Sequence, residues 1–243
     1  MSRAPIGLEG CRDFIEAQVQ PVRRPSSTFP AGIPAPMITV SREAGAGGHE
    51  VAEHLVAVLR ERAPQGSPPW TFFDRDLVEK VLEDHDLPKG LARLMPEDRV
   101  SEISDTMDQL FGLRPSSWTL VRKTADTILH LAELGNVVVI GRGANIITSK
   151  LDNAFHVRLI APLDSRVAHI REIEHLSRPA AEAFVRDTDE ARRRYVKKYY
   201  GKDIGDPLLY HVVINTDRMP PPEAARMIAD AVGDRSREEV TVR

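Results

Sequence analysis

The chain has 243 residues, 42% hydrophobic and 28% charged, which is enough for one substantial α/β core and unlike a disordered segment. A net charge of -3 gives no global basic surface for nucleic acid, and a single cysteine, Cys11, excludes an internal disulfide and fits a reducing compartment. No apolar run approaches the roughly 20 residues of a membrane span and no signal core opens the chain, so the expectation is a cytoplasmic protein with neither a membrane nor a nucleic acid as partner.

Residues 8–19 can form a short helix with Phe14, Ile15 and Val19 on one side. Pro21, Pro25, Pro30, Pro34 and Pro36 then forbid a continued helix or a central strand, so 1–36 reads as a helix and proline-rich linker, either a loose tail or an arm that docks. The domain proper spans 37–233, with 234–243 as a frayed tail.

It opens on a strand from Met37 to Ser41, a turn carrying Gly45, Gly47 and Gly48, and a helix from about Gly48 to Arg62. Trp70 to Phe73 is a second short strand, and Asp74-Arg75-Asp76 opens a helix to about Asp84. Residues 87–134 are helical with interruptions, ending at Gly135 as a C-cap. Val137 to Ile140 is a continuous apolar run, as in a strand covered on both faces, and Gly141-Arg142-Gly143 follows it. Phe155 to Ile160 is a fourth strand, followed by a helix to about Glu174 that Asp164 or Ser165 can cap. Residues 178–200 are helical and heavily charged, His211 to Asn215 is the last strand, and Pro220 to Val232 the last helix. Strands alternate with helices, so the sheet should be parallel with helices on both faces.

Three motifs fall at the carboxyl ends of strands, where open α/β sheets bind ligands. The turn Gly45-Ala46-Gly47-Gly48-His49-Glu50 can be a tight connection or a phosphate grip, in which backbone N–H groups and a helix N-terminus face an anion. A complete loop of this kind, G-x-x-x-x-G-K-[ST], has a lysine and then a hydroxyl after its last loop glycine; here Gly47 is followed by Gly48, His49 and Glu50. Asp74-Arg75-Asp76 can be a helix start with surface charges or a contact to an acceptor substrate, with Arg75 on a phosphate. Arg142, between two glycines, can be an exposed turn residue or a two-pronged phosphate clamp.

A fourth motif is the run Arg192-Arg193-Arg194-Tyr195-Val196-Lys197-Lys198, preceded by Asp189. Five cations in seven positions cannot share one helix face. The run can be a solvated helix, a nucleic-acid patch, or a mobile arm whose arginines close over a nucleotide's phosphates. His49 and His54 are five apart and off one helical face, and with one cysteine no structural metal site is expected. Ser41 lacks the G-x-S-x-G surroundings of a hydrolase nucleophile.

From Met37 to about Val232 the chain resembles the cytidylate kinase-like family, relatives of the nucleoside monophosphate kinases. The resemblance rests on Ile38-Thr39-Val40-Ser41-Arg42-Glu43 with Gly45 to Gly48, on Phe73-Asp74-Arg75-Asp76, and on Val139-Ile140-Gly141-Arg142-Gly143-Ala144-Asn145. It continues through Val157 to Pro162 with Arg166, then Asp189-x-x-Arg192, Tyr199-Tyr200-Gly201, Tyr210 and Ile214-Asn215-Thr216. It implies a P-loop three-layer sandwich with a five-stranded parallel sheet in the order 2-3-1-4-5 and a helical lid. It implies ATP and Mg²⁺ at the glycine loop, a nucleoside monophosphate near Asp74 to Asp76 and Arg142, Asp189 and Arg192 between lid and acceptor, and Arg193 and Arg194 as lid cations. Laid over the cytidylate kinase loop, Gly48 stands at the lysine and Glu50 at the Mg²⁺-binding hydroxyl, so Arg42 or a lid arginine is the candidate replacement charge.

The expected activity is therefore a kinase-like transfer of the ATP γ-phosphate to a nucleoside monophosphate, CMP or dCMP by likeness, or to another small acceptor. The alternative is a non-catalytic nucleotide-binding regulator with a degenerate loop; a ligand-free structural descendant is a third reading. A homodimer is allowed for, with an interface on the insert 97–134 or on the N-terminal arm.

Overall fold

The computed structural model describes residues 35–74 and 119–241. The expected N-terminal helix and linker, the helix after Asp74, and most of the insert lie outside the described residues. So do Arg75 and Asp76.

β1 (Met37–Arg42) is the central strand. Met37, Ile38 and Val40 are wholly buried, because both faces of the sheet are covered. Its chain continues through the glycine turn into α1 (Gly48–Arg62). Val51, Ala52, Leu55, Val56 and Leu59 bury one face of that helix at the spacing of successive turns. β2 (Thr71–Phe73) follows, then α2 (Thr119–Leu134), β3 (Val137–Ile140), the single turn α3 (Ala144–Ile147) and β4 (Ala154–Ile160). α4 (Leu163–Glu174), α5 (Arg178–Tyr200), β5 (Val212–Asn215) and α6 (Pro221–Thr241) complete the order.

The five strands pair in parallel in the order β2-β3-β1-β4-β5. This is the P-loop kinase arrangement expected from the sequence. Ile38 and Val40 of β1 and Phe155, Val157 and Leu159 of β4 pack with α1 and α6 on one face. Met37 of β1 and Val137 and Val139 of β3 pack with α2 and α3 on the other. A third apolar cluster joins Ala44 of the glycine turn to Val167 and Ile170 of α4 and to Ala181 and Val185 of α5. That small cluster ties the turn to the two helices that overhang it.

Two details differ from the sequence expectation. α4 begins after Pro162 with no side-chain cap; Asp164 pairs instead with Arg178 at 2.6 Å and Ser165 donates to Asp217 at 2.5 Å. Both side chains satisfy partners from other segments, so neither turns back onto its own helix end. The last helix also runs beyond Val232, to Thr241.

Candidate active site

The glycine turn bends where β1 leaves the sheet. Gly47 caps α1 in the left-handed region, at φ 68°, and Val51 makes the first helical hydrogen bond back to its carbonyl. The N–H groups of Gly48, His49 and Glu50 therefore have no helical acceptor, and the helix dipole adds its positive end at the same place. The turn's carbonyls are drawn the other way. Arg192 Nη1 donates to the Arg42 carbonyl at 3.2 Å, Arg166 Nη1 to that of Ala44 at 3.2 Å, and Thr216 Oγ1 to that of Ala46 at 3.2 Å. His169 Nδ1 lies 2.9 Å from the Gly45 carbonyl. With its acceptors held by side chains, the turn presents donors to the cleft.

That cleft encloses about 470 Å³. Its walls include Arg42, Glu43, Gly45 and Gly47 to Glu50 of the turn, Asp74, His169 and Arg192, with Ile140, Ile170 and Ile173 as apolar surface. Glu50 is held by His169 Nε2 at 2.8 Å, and exposed His49 lies edge-on to Phe72 with ring centres 5.1 Å apart.

Arg42 fills the space that a side chain at position 48 would take. A Cβ on Gly48 would sit 2.9 Å from Arg42 Cγ and 3.4 Å from its Cβ and Cδ. At the far end, a Cβ on Gly141, whose φ is 84°, would overlap the Arg42 guanidinium. The arginine thus threads a slot between two glycines and spans from the helix start to the end of β3. Burial, helped by the neighbouring Arg192, Arg142 and Arg158 and opposed by Asp74, lowers its pKa to about 9. Arg192, Arg142 and Arg158 thus act on Arg42 as like charges, and a bound anion would relieve that repulsion.

Asp189 and Arg192 sit on the face of α5 that carries buried Ala181, Val185 and Val196, since all five positions recur at three- or four-residue steps. Asp189 accepts the Ala44 N–H at 2.7 Å and pairs with Arg166 at 2.6 Å. Arg166, itself buried, also donates through Nε to the Ala161 carbonyl at 2.9 Å and lies 3.2 Å from Glu43. Asp189 is thus engaged with the turn's backbone rather than turned to open space.

Arg193 and Arg194 do not join this constellation. One and two residues past Arg192, they rotate about 100° and 200° away along the helix. They are exposed and pair with Glu190 at 2.9 and 3.7 Å, so of the three consecutive arginines it is Arg192 that lines the cleft, while Arg193 and Arg194, the expected lid cations, lie away from it. Arg142, at φ 56°, stands outside the cleft wall proper, beside Tyr195 and Tyr200. Tyr200 packs on Gly143 and donates to the Arg142 carbonyl at 3.3 Å. Burial raises the pKa of both tyrosines, so they act as neutral hydroxyls beside that arginine.

Sequence reasoning overlooked Arg166 and His169 as organisers of the turn. Their positions on α4, three residues apart, put them on one helix face, which is the available signal; their partners Ala44 and Gly45 lie more than a hundred residues away.

The sequence profile of the cytidylate kinase-like family matches residues 37–218. The chain belongs to that family. A cytidylate kinase of Thermoplasma acidophilum is 32% identical over 107 residues, covering 43% of this chain and 56% of the relative. The chain thus spans a little over half the length of that relative. A cytidylate kinase of Pyrococcus horikoshii is 25% identical over 159 residues, covering 64% of this chain and 80% of the relative. Among solved structures, an uncharacterized protein from Eubacterium ventriosum superposes with a TM-score of 0.57 at 20% identity, over 82% of this chain and 98% of its own, a likeness of fold. No helix among the described residues is long and apolar enough to cross a membrane.

Proposed function

We propose that this chain is an ATP-dependent phosphotransferase that moves the γ-phosphate to a nucleoside monophosphate, with CMP and dCMP the first acceptors to test. The observation that carries the reading is Arg42 in its slot. A buried cation is fixed between Gly48 and Gly141, beside a helix start whose Gly48, His49 and Glu50 N–H groups have no helical acceptor, and Arg192 lines the same cleft. Fixed N–H donors, a helix N-terminus and two arginines on one cleft suit a polyphosphate.

In this reading Gly45, Ala46, Gly47, Gly48, His49 and Glu50 form the donor site. The backbone amides of Gly45, Gly47, Gly48, His49 and Glu50 meet the phosphates, while that of Ala46 holds the Glu43 carbonyl at 3.2 Å, and Arg42 does the work of the Walker lysine. Glu50 and Asp74 put two carboxylates on the cleft wall, a donor set that suits Mg²⁺, which takes one or two carboxylates plus phosphate oxygens. When bound there, the ion neutralises charge on the phosphates. An acceptor phosphate oxygen attacks the γ-phosphorus and forms a new P–O bond. The bond from that phosphorus to the bridging oxygen breaks, and ADP leaves. Arg142 and Arg192 stabilise charge on the transferring oxygens. Asp74 and the adjoining Arg75 and Asp76 serve the acceptor. Asp189 acts through the turn, as a positioning residue that holds the Ala44 amide and orients Arg166. Arg193 and Arg194 have no role in this arrangement.

A second reading, a nucleotide-binding regulator without turnover, is favoured by Glu50, an anion where a phosphate kinase loop has a hydroxyl. One experiment separates the two. The pure protein is incubated with Mg-ATP and a panel of monophosphates, and both binding and ADP release are measured. Acceptor-dependent ADP release supports the kinase. Tight ATP binding without it leaves the regulator, and no binding removes both.

A further inference from the structure

One face of the central sheet is polar where its neighbours are apolar. Thr39 and Ser41 of β1 lie opposite His156 and Arg158 of β4 in the strand register, on the face of β1 turned away from α1. The inner pair is closed on itself, with Thr39 Oγ1 2.9 Å from His156 Nδ1. The outer pair is different. Arg158 is 8% exposed, yet its contacts are a hydroxyl and an aromatic ring. Nη1 donates to Ser41 Oγ at 2.7 Å, and the guanidinium carbon lies 5.7 Å from the centre of the Tyr210 ring. Tyr210 Oη reaches the same Ser41 Oγ at 3.3 Å and donates to the Ile204 carbonyl at 2.8 Å. No carboxylate among the described residues lies within ion-pair distance of Arg158; its other N–H groups meet no protein acceptor there, and they are not sealed from solvent, so a ligand can reach them.

A buried cation without a counter-ion is costly, and a hydroxyl with a ring face offsets only part of the cost. Such a residue persists where a ligand supplies the missing charge. Arg158 also stands within electrostatic reach of Arg42, which approaches from the opposite face of β1. The two arginines flank the end of that strand, one on the side of the glycine turn and one on the side of Tyr195, Tyr200 and Arg142.

We propose that Arg158, oriented by Ser41 and Tyr210, forms a second phosphate subsite on the far side of β1 from the glycine turn, and that it binds the phosphate of the acceptor. The assignment of that phosphate to the acceptor rests on the kinase reading above; the phosphate subsite itself does not. A guanidinium with several unused donors in one plane suits two oxygens of a phosphate monoester. The tyrosine ring keeps it from swinging, and Ser41 fixes one prong.

The test uses the full chain as wild type, Arg158→Met and Arg158→Lys. Each is titrated calorimetrically with inorganic phosphate, with CMP and with the non-hydrolysable Mg-AMPPNP, and each is unfolded thermally. The expected result is that Arg158→Met weakens phosphate and CMP at least tenfold, Arg158→Lys weakens them less, and Mg-AMPPNP changes less than twofold. The unfolding midpoint of Arg158→Met should not fall, because the change removes a buried unpaired charge; a structural role would lower it. Unchanged phosphate affinity in Arg158→Met, or no phosphate binding by the wild type, overturns the subsite. Loss confined to Mg-AMPPNP overturns it too. If the wild type binds phosphate through Arg158 but not CMP, the subsite stands and the nucleotide acceptor is wrong. If the wild type fails to bind Mg-AMPPNP while phosphate still depends on Arg158, the kinase reading fails and the subsite remains.

Discussion

The slot occupied by Arg42 makes a prediction about two residues at once. Gly48→Lys would place a conventional lysine in the turn, but its Cβ would come within 2.9 Å of Arg42 Cγ, closer than carbon atoms tolerate. The contacted atom belongs to the proximal stem, anchored in β1, so it cannot swing aside without moving the guanidinium out from beneath Gly141. Overpacking of this kind costs about 1–3 kcal/mol. Helix propensity pulls the other way, since replacing glycine in a helix gains up to about 1 kcal/mol, so any loss comes from the clash. Arg42→Gly alone removes a charged hydrogen bond to phosphate, worth about 1.5–3 kcal/mol, or roughly a 10- to 100-fold loss of Mg-ATP affinity. In the double variant Arg42→Gly with Gly48→Lys, the stem is gone and the lysine has room. Its affinity should recover to within about threefold of wild type, a coupling between the two sites of about 1–3 kcal/mol. Mg-ATP affinity measured by calorimetry for all four proteins, with ADP release beside it, decides the matter. If Gly48→Lys alone binds as wild type does, the slot does not exclude a side chain. A double variant no better than Arg42→Gly would mean that Arg42 does not stand in for the lysine.

Three other outcomes follow from the same geometry. Asp189→Ala takes away the acceptor of the Ala44 N–H and the partner of Arg166, and should cost about 3 kcal/mol in urea unfolding, with Asp189→Asn losing less because it keeps an acceptor. Arg193→Ala and Arg194→Ala remove exposed pairs and should stay within about 0.5 kcal/mol of wild-type stability with turnover unchanged; a several-fold fall in kcat in either variant would show that the lid closes further than in this structure. Arg42 carries the pH dependence: its pKa of about 9 in the free protein rises when a phosphate binds, because the anion favours the charged form. Mg-ATP affinity should then be flat between pH 7 and 8 and fall above about pH 9, toward tenfold per unit, a dependence that Arg42→Gly abolishes. Unliganded stability has the opposite sign: between about pH 9 and the usual arginine range the unfolded chain binds more protons, so this group makes the fold more stable as pH rises.

The sequence by itself determined the local elements, because hydrophobic period and turn residues act over a few positions. The apolar run Val137–Ile140, the helix Gly48–Arg62 between a glycine turn and Pro64, and the charged helix 178–200 all stand where their patterns put them. The order of the five strands came with the family resemblance, and the parallel pairing bears it out. The stripe on α5 that separates Asp189 and Arg192 from Arg193 and Arg194 was also present in the spacing, although charge alone had grouped all three arginines. What only the tertiary structure decided is which side chains meet. Arg42 needs room at Gly48 and at Gly141, a residue in the turn after another strand, about a hundred positions away. Arg166 and His169 reach the turn from a helix more than a hundred residues downstream, and Arg158 faces Ser41 because parallel β1 and β4 share a register. None of these pairings leaves a periodic trace, since each depends on how sheet, turn and helix are stacked. The site was visible as a turn with two side chains missing; how its charge is restored appears only once the strands are side by side.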